Sequence, residues 1–116
     1  MEIEVTRPDS LKATVLPRGR VDADTGSQLK LELQSLAAEG VKLIVVDLQE
    51  VDFMDSSGLS ALVSGLRALR ERDGSLHLCR VQPQPLTALK LTMLDRVFPI
   101  FESPQAALEF DPSESM

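Results

Sequence analysis

Val51-Asp52-Phe53-Met54-Asp55-Ser56-Ser57-Gly58-Leu59 is the stretch in which an apolar run gives way to a helical pattern. Before it, Lys42-Leu43-Ile44-Val45-Val46-Asp47-Leu48 is nearly continuously apolar, as expected of a parallel strand covered on both faces and therefore central. After it, Leu59, Leu62, Val63, Leu66 and Leu69 make one stripe at helical spacing, with Arg67 and Glu71 spaced to pair outside. This helix is expected to start at Ser57 and end near Asp73-Gly74. A polar turn between a buried strand and a helix lies where helix N–H groups lack internal partners, which makes it a seat for an anion. Asp55 or Ser56 can cap the helix through a side-chain oxygen, and Gly58 in the first turn lets another surface approach the backbone closely.

Toward the N-terminus, Lys12–Leu16 reads as a strand that Pro17 cuts short, and Ile3–Thr6 as a strand at a sheet edge. From about Asp24 to Ala38, Leu29, Leu33, Leu36 and Ala37 recur at helical spacing, with Asp24 as the expected cap and Gly40 as the stop. Toward the C-terminus, Ser75–Val81 alternates as a strand, and Pro85 suits the first position of a helix running to about Leu94. Val97-Phe98 and Ile100-Phe101 offer a brief last strand. Ser103-Pro104 opens a final helix with Ala107, Leu108 and Phe110 on its inner face. The order β-β-α-β-α-β-α-β-α predicts an α/β fold, a mostly parallel mixed sheet of about five strands with about four helices. One domain is expected over residues 1–110, with 111–116 a flexible tail that has little to bury.

Composition narrows the function. Eighteen acidic against 12 basic residues leave a net charge of −6, which repels nucleic acid and anionic lipid and favours a basic protein surface as partner. No stretch has the length of a spanning helix, and the N-terminus lacks the basic start and apolar run of a secretory signal, so a cytoplasmic protein without membrane insertion is expected. Cys79 has no second cysteine to pair with and lies in an apolar strand, as a buried small hydrophobe would. His77 alternates on the same strand, and no cysteine or second histidine exists to join it at a metal site. No nucleophile–base pair is visible, so neither an enzyme nor a cofactor is expected.

The quoted stretch, together with Val45-Val46-Asp47-Leu48, resembles the signature of STAS domains of the anti-sigma factor antagonist family. Gly19-Arg20-Val21-Asp22-Ala23 resembles that family's turn before its first helix, Leu94-Asp95-Arg96-Val97-Phe98 its last third, and Ala106-Ala107-Leu108 its closing helix. The resemblance implies a single STAS domain and a bacterial regulator that switches partners. By position it makes Ser56 the phosphate acceptor of an anti-sigma factor serine kinase, which binds the unphosphorylated form. A metal-dependent serine phosphatase would restore that form, and the kinase would supply ATP, magnesium and base. Asp22, Asp55, Ser56, Ser57, Gly58 and Ser60 are then the candidate partner-binding residues, Asp22 being expected near Ser56 on one rim. The resemblance is weakest at Pro17 and at Asp24-Thr25-Gly26, both near the expected partner surface.

Plainer readings stand beside these. Ser56 alone would read as a helix cap, and Ser57 as structural or as a substitute acceptor. Asp47 and Asp55 at strand ends could suggest a phospho-aspartate receiver, but the paired acidic residues and strand-end lysine that such a site needs are missing. Ser60 and Ser64, with Arg67 and Arg70, form either solvated surface or part of a docking face. The alternative function is an accessory or scaffold STAS domain of a transporter or stress-signalling assembly, indifferent to phosphorylation. A monomer is expected, weak dimerisation being the alternative.

Overall fold

The computed structural model describes residues 1–110; the expected tail at 111–116 lies outside the described residues. Strand β1 (Glu2–Asp9) pairs antiparallel with β2 (Lys12–Arg18), and β2 pairs in parallel with β4 (Leu43–Asp47). Beyond β4 come β6 (Ser75–Cys79) and β7 (Ile100–Phe101), both parallel, to give the five-stranded order β1-β2-β4-β6-β7. The strand expected at Ile3–Thr6 is therefore an edge strand, longer than its apolar core suggests.

Every residue of β4 is buried, and its side chains alternate between two cores. Ile44 and Val46 join the larger core with helices α1 (Ala23–Ala38) and α2 (Ser56–Arg70), while Leu43 and Val45 join a smaller one with Cys79 and Ala107 of helix α4 (Pro104–Glu109). This two-sided burial is what a continuous apolar run predicts. α1 and α2 pack closely because residue 65 is glycine: a Cβ there would lie 2.7 Å from Leu33 Cδ1. The stop at Gly40 follows expectation, with φ +100.

Several expectations are corrected. Pro17 does not cut β2 short, because the strand runs on to Arg18. Pairing with β4 ends at Val15, so at Pro17 β2 has only β1 beside it and can accommodate a residue with no N–H to give. The cap of α1 is Asp22, not Asp24. Helix α2 ends at Arg70, short of Asp73-Gly74, and Arg67 and Glu71 form no ion pair among the described residues. Helix α3 (Pro83–Leu91) starts at Pro83 rather than Pro85 and stops before Leu94. Val97-Phe98 is not strand: a 3-10 turn over Leu94–Arg96 follows Met93, at φ +62, and buries Phe98 in the larger core. β6 stops at Cys79 because Arg80 turns the chain away at φ +50. Two strands of two residues each, β3 (Arg20–Val21) and β5 (Phe53–Met54), were not expected at all.

His77 is fully buried under α4, its Nδ1–H donating to the Ala107 carbonyl at 2.9 Å while Nε2 has no partner among the described residues. Phe101 and Phe110 pack on the ring, with centroids at 5.2 and 5.7 Å. Burial lowers its pKa, and the bond to Ala107 only partly offsets this. The unfolded chain therefore takes up a proton near pH 6.5 that the folded chain refuses, so stability contributed by neutral His77 is present above that pH and lost as pH falls. Denaturant melts between pH 7 and 5.5 should show wild type losing stability that His77→Gln keeps, by no more than about 1.4 kcal/mol per pH unit. Equal pH slopes in the two proteins would refute the buried neutral ring. Burial, with the nearby Asp47 charge, also pushes the Cys79 thiol up to about 12, consistent with a packed hydrophobe.

Candidate functional site

β3 and β5 pair in parallel, Arg20 with Phe53 and Val21 with Met54. The residues that follow these paired positions, Asp22 and Asp55, open α1 and α2 side by side on one rim. Asp22 accepts from the N–H groups of Asp24 and Thr25, and Thr25 Oγ1 accepts from the Asp22 N–H in a capping box. Those bonds, the Thr25 backbone first, hold the Asp22 carboxyl below its usual pKa. Asp55 Oδ1 accepts from Ser57 N–H at 2.9 Å and Gly58 N–H at 3.3 Å. Asp55, not Ser56, is thus the cap.

This corrects the expected anion seat. Two of the amides that a phosphate on Ser56 would meet are already taken by Asp55. Ser56 is the first residue of α2 and is exposed, with half-buried Asp55 and Ser57 on either side. Gly58 is buried, and a Cβ there would lie 2.5 Å from Met54 Cγ and 2.9 Å from the Val21 carbonyl oxygen. Its close approach is therefore to β3 and β5 of its own chain.

A shallow cleft of about 350 Å³ runs between the two helices and is lined by Gly26, Ser27, Lys30, Ser56, Ser57 and Ser60, among others. It brings Ser56, Ser57 and the exposed Ser60 together. Asp22 stays on the rim outside the cleft, linked through Val21, whose carbonyl accepts from Asp55 N–H at 3.3 Å. Lys30 was missed in the sequence. It is exposed, forms no ion pair among the described residues, and is the one cation lining the cleft. Arg20 was missed as well; its guanidinium sits 4.0 Å from the Phe53 ring centroid, over β5.

Asp47 is buried at the end of β4, where Arg80 binds both of its carboxylate oxygens. A buried, ion-paired and hydrogen-bonded Asp47 is structural, which removes the receiver reading. Among the described residues no group of three or more His, Cys, Asp or Glu could hold a metal, and no helix is long and apolar enough to cross a membrane.

Removing the cap has a measurable cost. Asp55→Ala should destabilise the chain by about 1 kcal/mol, and Asp55→Asn should recover most of it, because asparagine caps equally well. Thermal melts of the three proteins check this; an Asp55→Asn as unstable as Asp55→Ala would mean the charge matters and the capping bonds do not.

A five-stranded, mostly parallel sheet with an aspartate-capped serine at a helix start on its rim defines a class, and the comparison with known proteins agrees. The STAS domain family model matches residues 2–107, and the chain belongs to that family. Its relatives in that family include anti-sigma factor antagonists. It is 33% identical to the anti-sigma-B factor antagonist of Staphylococcus aureus strain NCTC 8325, over 70% of this chain and 74% of that protein. The crystal structure of an anti-sigma factor antagonist from Mycobacterium paratuberculosis superposes with a TM-score of 0.82 at 26% identity, covering 92% of this chain and 90% of that one. The anti-sigma factor antagonist SpoIIAA in its unphosphorylated form superposes with a TM-score of 0.83, covering 99% and 98%. At 16% identity that last likeness speaks for the fold.

Proposed function

We propose that the chain is a cytoplasmic anti-sigma factor antagonist that binds an anti-sigma factor serine kinase while Ser56 is unmodified and is switched off when Ser56 is phosphorylated. The observation that carries this reading is the position of Ser56: exposed, first in α2, on a rim where Asp22, Asp55 and Ser57 converge. In the step itself Ser56 Oγ attacks the γ-phosphorus of ATP held by the kinase. A new O–P bond forms, the bond to ADP breaks, and the hydroxyl proton passes to a base of the kinase. The chain supplies a hydroxyl held in place by a capped helix, and the kinase supplies the chemistry. A metal-dependent serine phosphatase hydrolyses the ester and restores the binding form.

The remaining candidates have defined parts in this reading. Asp55 keeps the helix start rigid, Ser57 and Ser60 line the cleft beside the acceptor, and Asp22 fixes the neighbouring helix end. Their shared rim is what the kinase covers.

Incubating the purified chain with anti-sigma factor serine kinases of its own cell, ATP and magnesium should add one phosphate, which tandem mass spectrometry places on Ser56. A Ser56→Ala chain labelled equally well would end this reading. Binding that is indifferent to Ser56→Asp would point instead to a scaffold role.

A further inference from the structure

We infer that Gln84 is a positioning residue for the Ser56 segment, its carboxamide standing in for the strand that β5 lacks on its outer side. Backbone polar groups along a strand face its two sides in turn, and an edge leaves one set unpaired. The Asp55 N–H faces β3, donating to Val21 O. The N–H and C=O of Met54 face the other way, where no strand pairs with β5 among the described residues. There Gln84 Oε1 accepts from Met54 N–H at 2.8 Å, and Gln84 Nε2 donates to Met54 O at 3.1 Å. One side chain thus satisfies both groups as a neighbouring strand would.

The brace is itself held stiffly. Gln84 lies in the first turn of α3 between Pro83 and the buried Pro85, whose rings fix the local backbone. Two residues earlier, Gln82 donates to the Gln49 carbonyl, and two before that Arg80 holds Asp47. Alternate side chains at 80, 82 and 84 therefore grip positions 47, 49 and 54, the run that leads from β4 to Ser56. Met54 is two residues before Ser56, and its side chain fills the space under Gly58. A shift of Met54 is accordingly a shift of the start of α2. Only an amide both accepts and donates in this pairing: a carboxylate would turn its second oxygen on the Met54 carbonyl.

The functional half of this inference rests on the Ser56 reading, and the structural half does not. The test uses the full chain, ¹⁵N-labelled, as wild type, Gln84→Ala and Gln84→Glu. Gln84→Ala should lower the hydrogen-exchange protection of the Met54 amide about tenfold, while Ile44 and Val46 keep theirs. It should also lower kcat/KM for Ser56 phosphorylation, by a kinase that labels wild type, by about tenfold, since that factor corresponds to roughly 1.4 kcal/mol, the order of a pair of surface hydrogen bonds. Gln84→Glu should resemble Gln84→Ala at pH 7 and regain Met54 protection toward pH 4.5, as its carboxyl recovers a proton to donate. Unchanged Met54 protection in Gln84→Ala, or no recovery of Gln84→Glu on acidification, would overturn the brace. Lost protection with unaltered phosphorylation would overturn the positioning role. If wild type itself accepts no phosphate, the Ser56 reading falls and the positioning role with it, while the Met54 amide still decides the brace.

Discussion

Phosphate on Ser56 is expected to weaken binding of the chain to the proposed anti-sigma factor kinase about a hundredfold and to leave the fold intact. The chain already carries a net charge of −6, and the modification adds about −1.5 to −2 more beside Asp55 and the exposed Asp52. Its own structure does little to absorb that charge. The amides of Ser57 and Gly58 serve Asp55, so the dianion is left with the dipole of α2, worth roughly 0.3–1 kcal/mol, and with Lys30 across the cleft. A partner covering this rim must strip water from a phosphate that the chain itself has not neutralised, and about 3 kcal/mol of unrecovered desolvation corresponds to roughly a hundredfold in affinity. Because Ser56 is exposed and no core side chain has to move, the melting temperature should change by only a few degrees. Calorimetric titration of the kinase with enzymatically phosphorylated and unmodified chain reads the effect directly. Ser56→Asp, with a single charge, should fall between the two. Affinities within twofold of each other would sink the switch.

The parts of this site differ in how far they can be read from the sequence. The central strand and α2 are legible because burial on two faces and burial on one stripe leave different periodicities, and Leu43–Asp47 and Leu59–Leu69 show both without interruption. Ser56 enters by resemblance alone, through a short polar motif between a buried strand and a helix, and its role as acceptor is the proposal that the phosphorylation experiment tests. The cap of α1 is not legible in the sequence. Asp22 and Asp24 are both good caps by type, and each has a hydroxyl residue three positions on; only the fold shows that Thr25 Oγ1 closes the box on the Asp22 N–H while Ser27 Oγ donates to the Asp24 carbonyl.

What stays hidden is made by contacts between distant segments. β3 and β5 have two residues each, too few for any period, and exist because they pair with each other. Lys30 lines the cleft because α1 and α2 lie side by side, with Gly26 against Ser57 and Gly65 against Leu33. The occupancy of the helix amides is hidden for another reason: Asp55 and Ser56 compete for them, and composition does not say which side chain points inward. Gln84 and Arg80 lie 30 and 33 residues from the backbone and carboxylate they hold, and nothing near either residue signals its partner.

Arg80 gives the second large expectation. Arg80→Ala should destabilise the chain by about 2 kcal/mol, lowering Tm by roughly 10 °C. Asp47 is only 2% exposed, and besides Arg80 its carboxylate has the Gln49 N–H, at 3.1 Å. Losing the guanidinium strands a buried charge, which in a fully enclosed pair costs about 3–5 kcal/mol. Here the cost is smaller, because the Arg80 side chain is 37% exposed and water can enter where it stood. A second effect works in the opposite direction. Arg80 sits at φ +50, where a side chain is strained and glycine is not, so Arg80→Gly should be more stable than Arg80→Ala by about 1 kcal/mol despite losing the same ion pair. Removing the stranded charge should also help, so that adding Asp47→Asn to Arg80→Ala costs less than either change alone would suggest. Denaturant melts of these variants separate the two causes. If Arg80→Gly and Arg80→Ala melt alike, the left-handed turn after β6 carries no strain. If Asp47→Asn adds its full cost on top of Arg80→Ala, the pair is not what holds the loop from Asp47 to Ser56 in place.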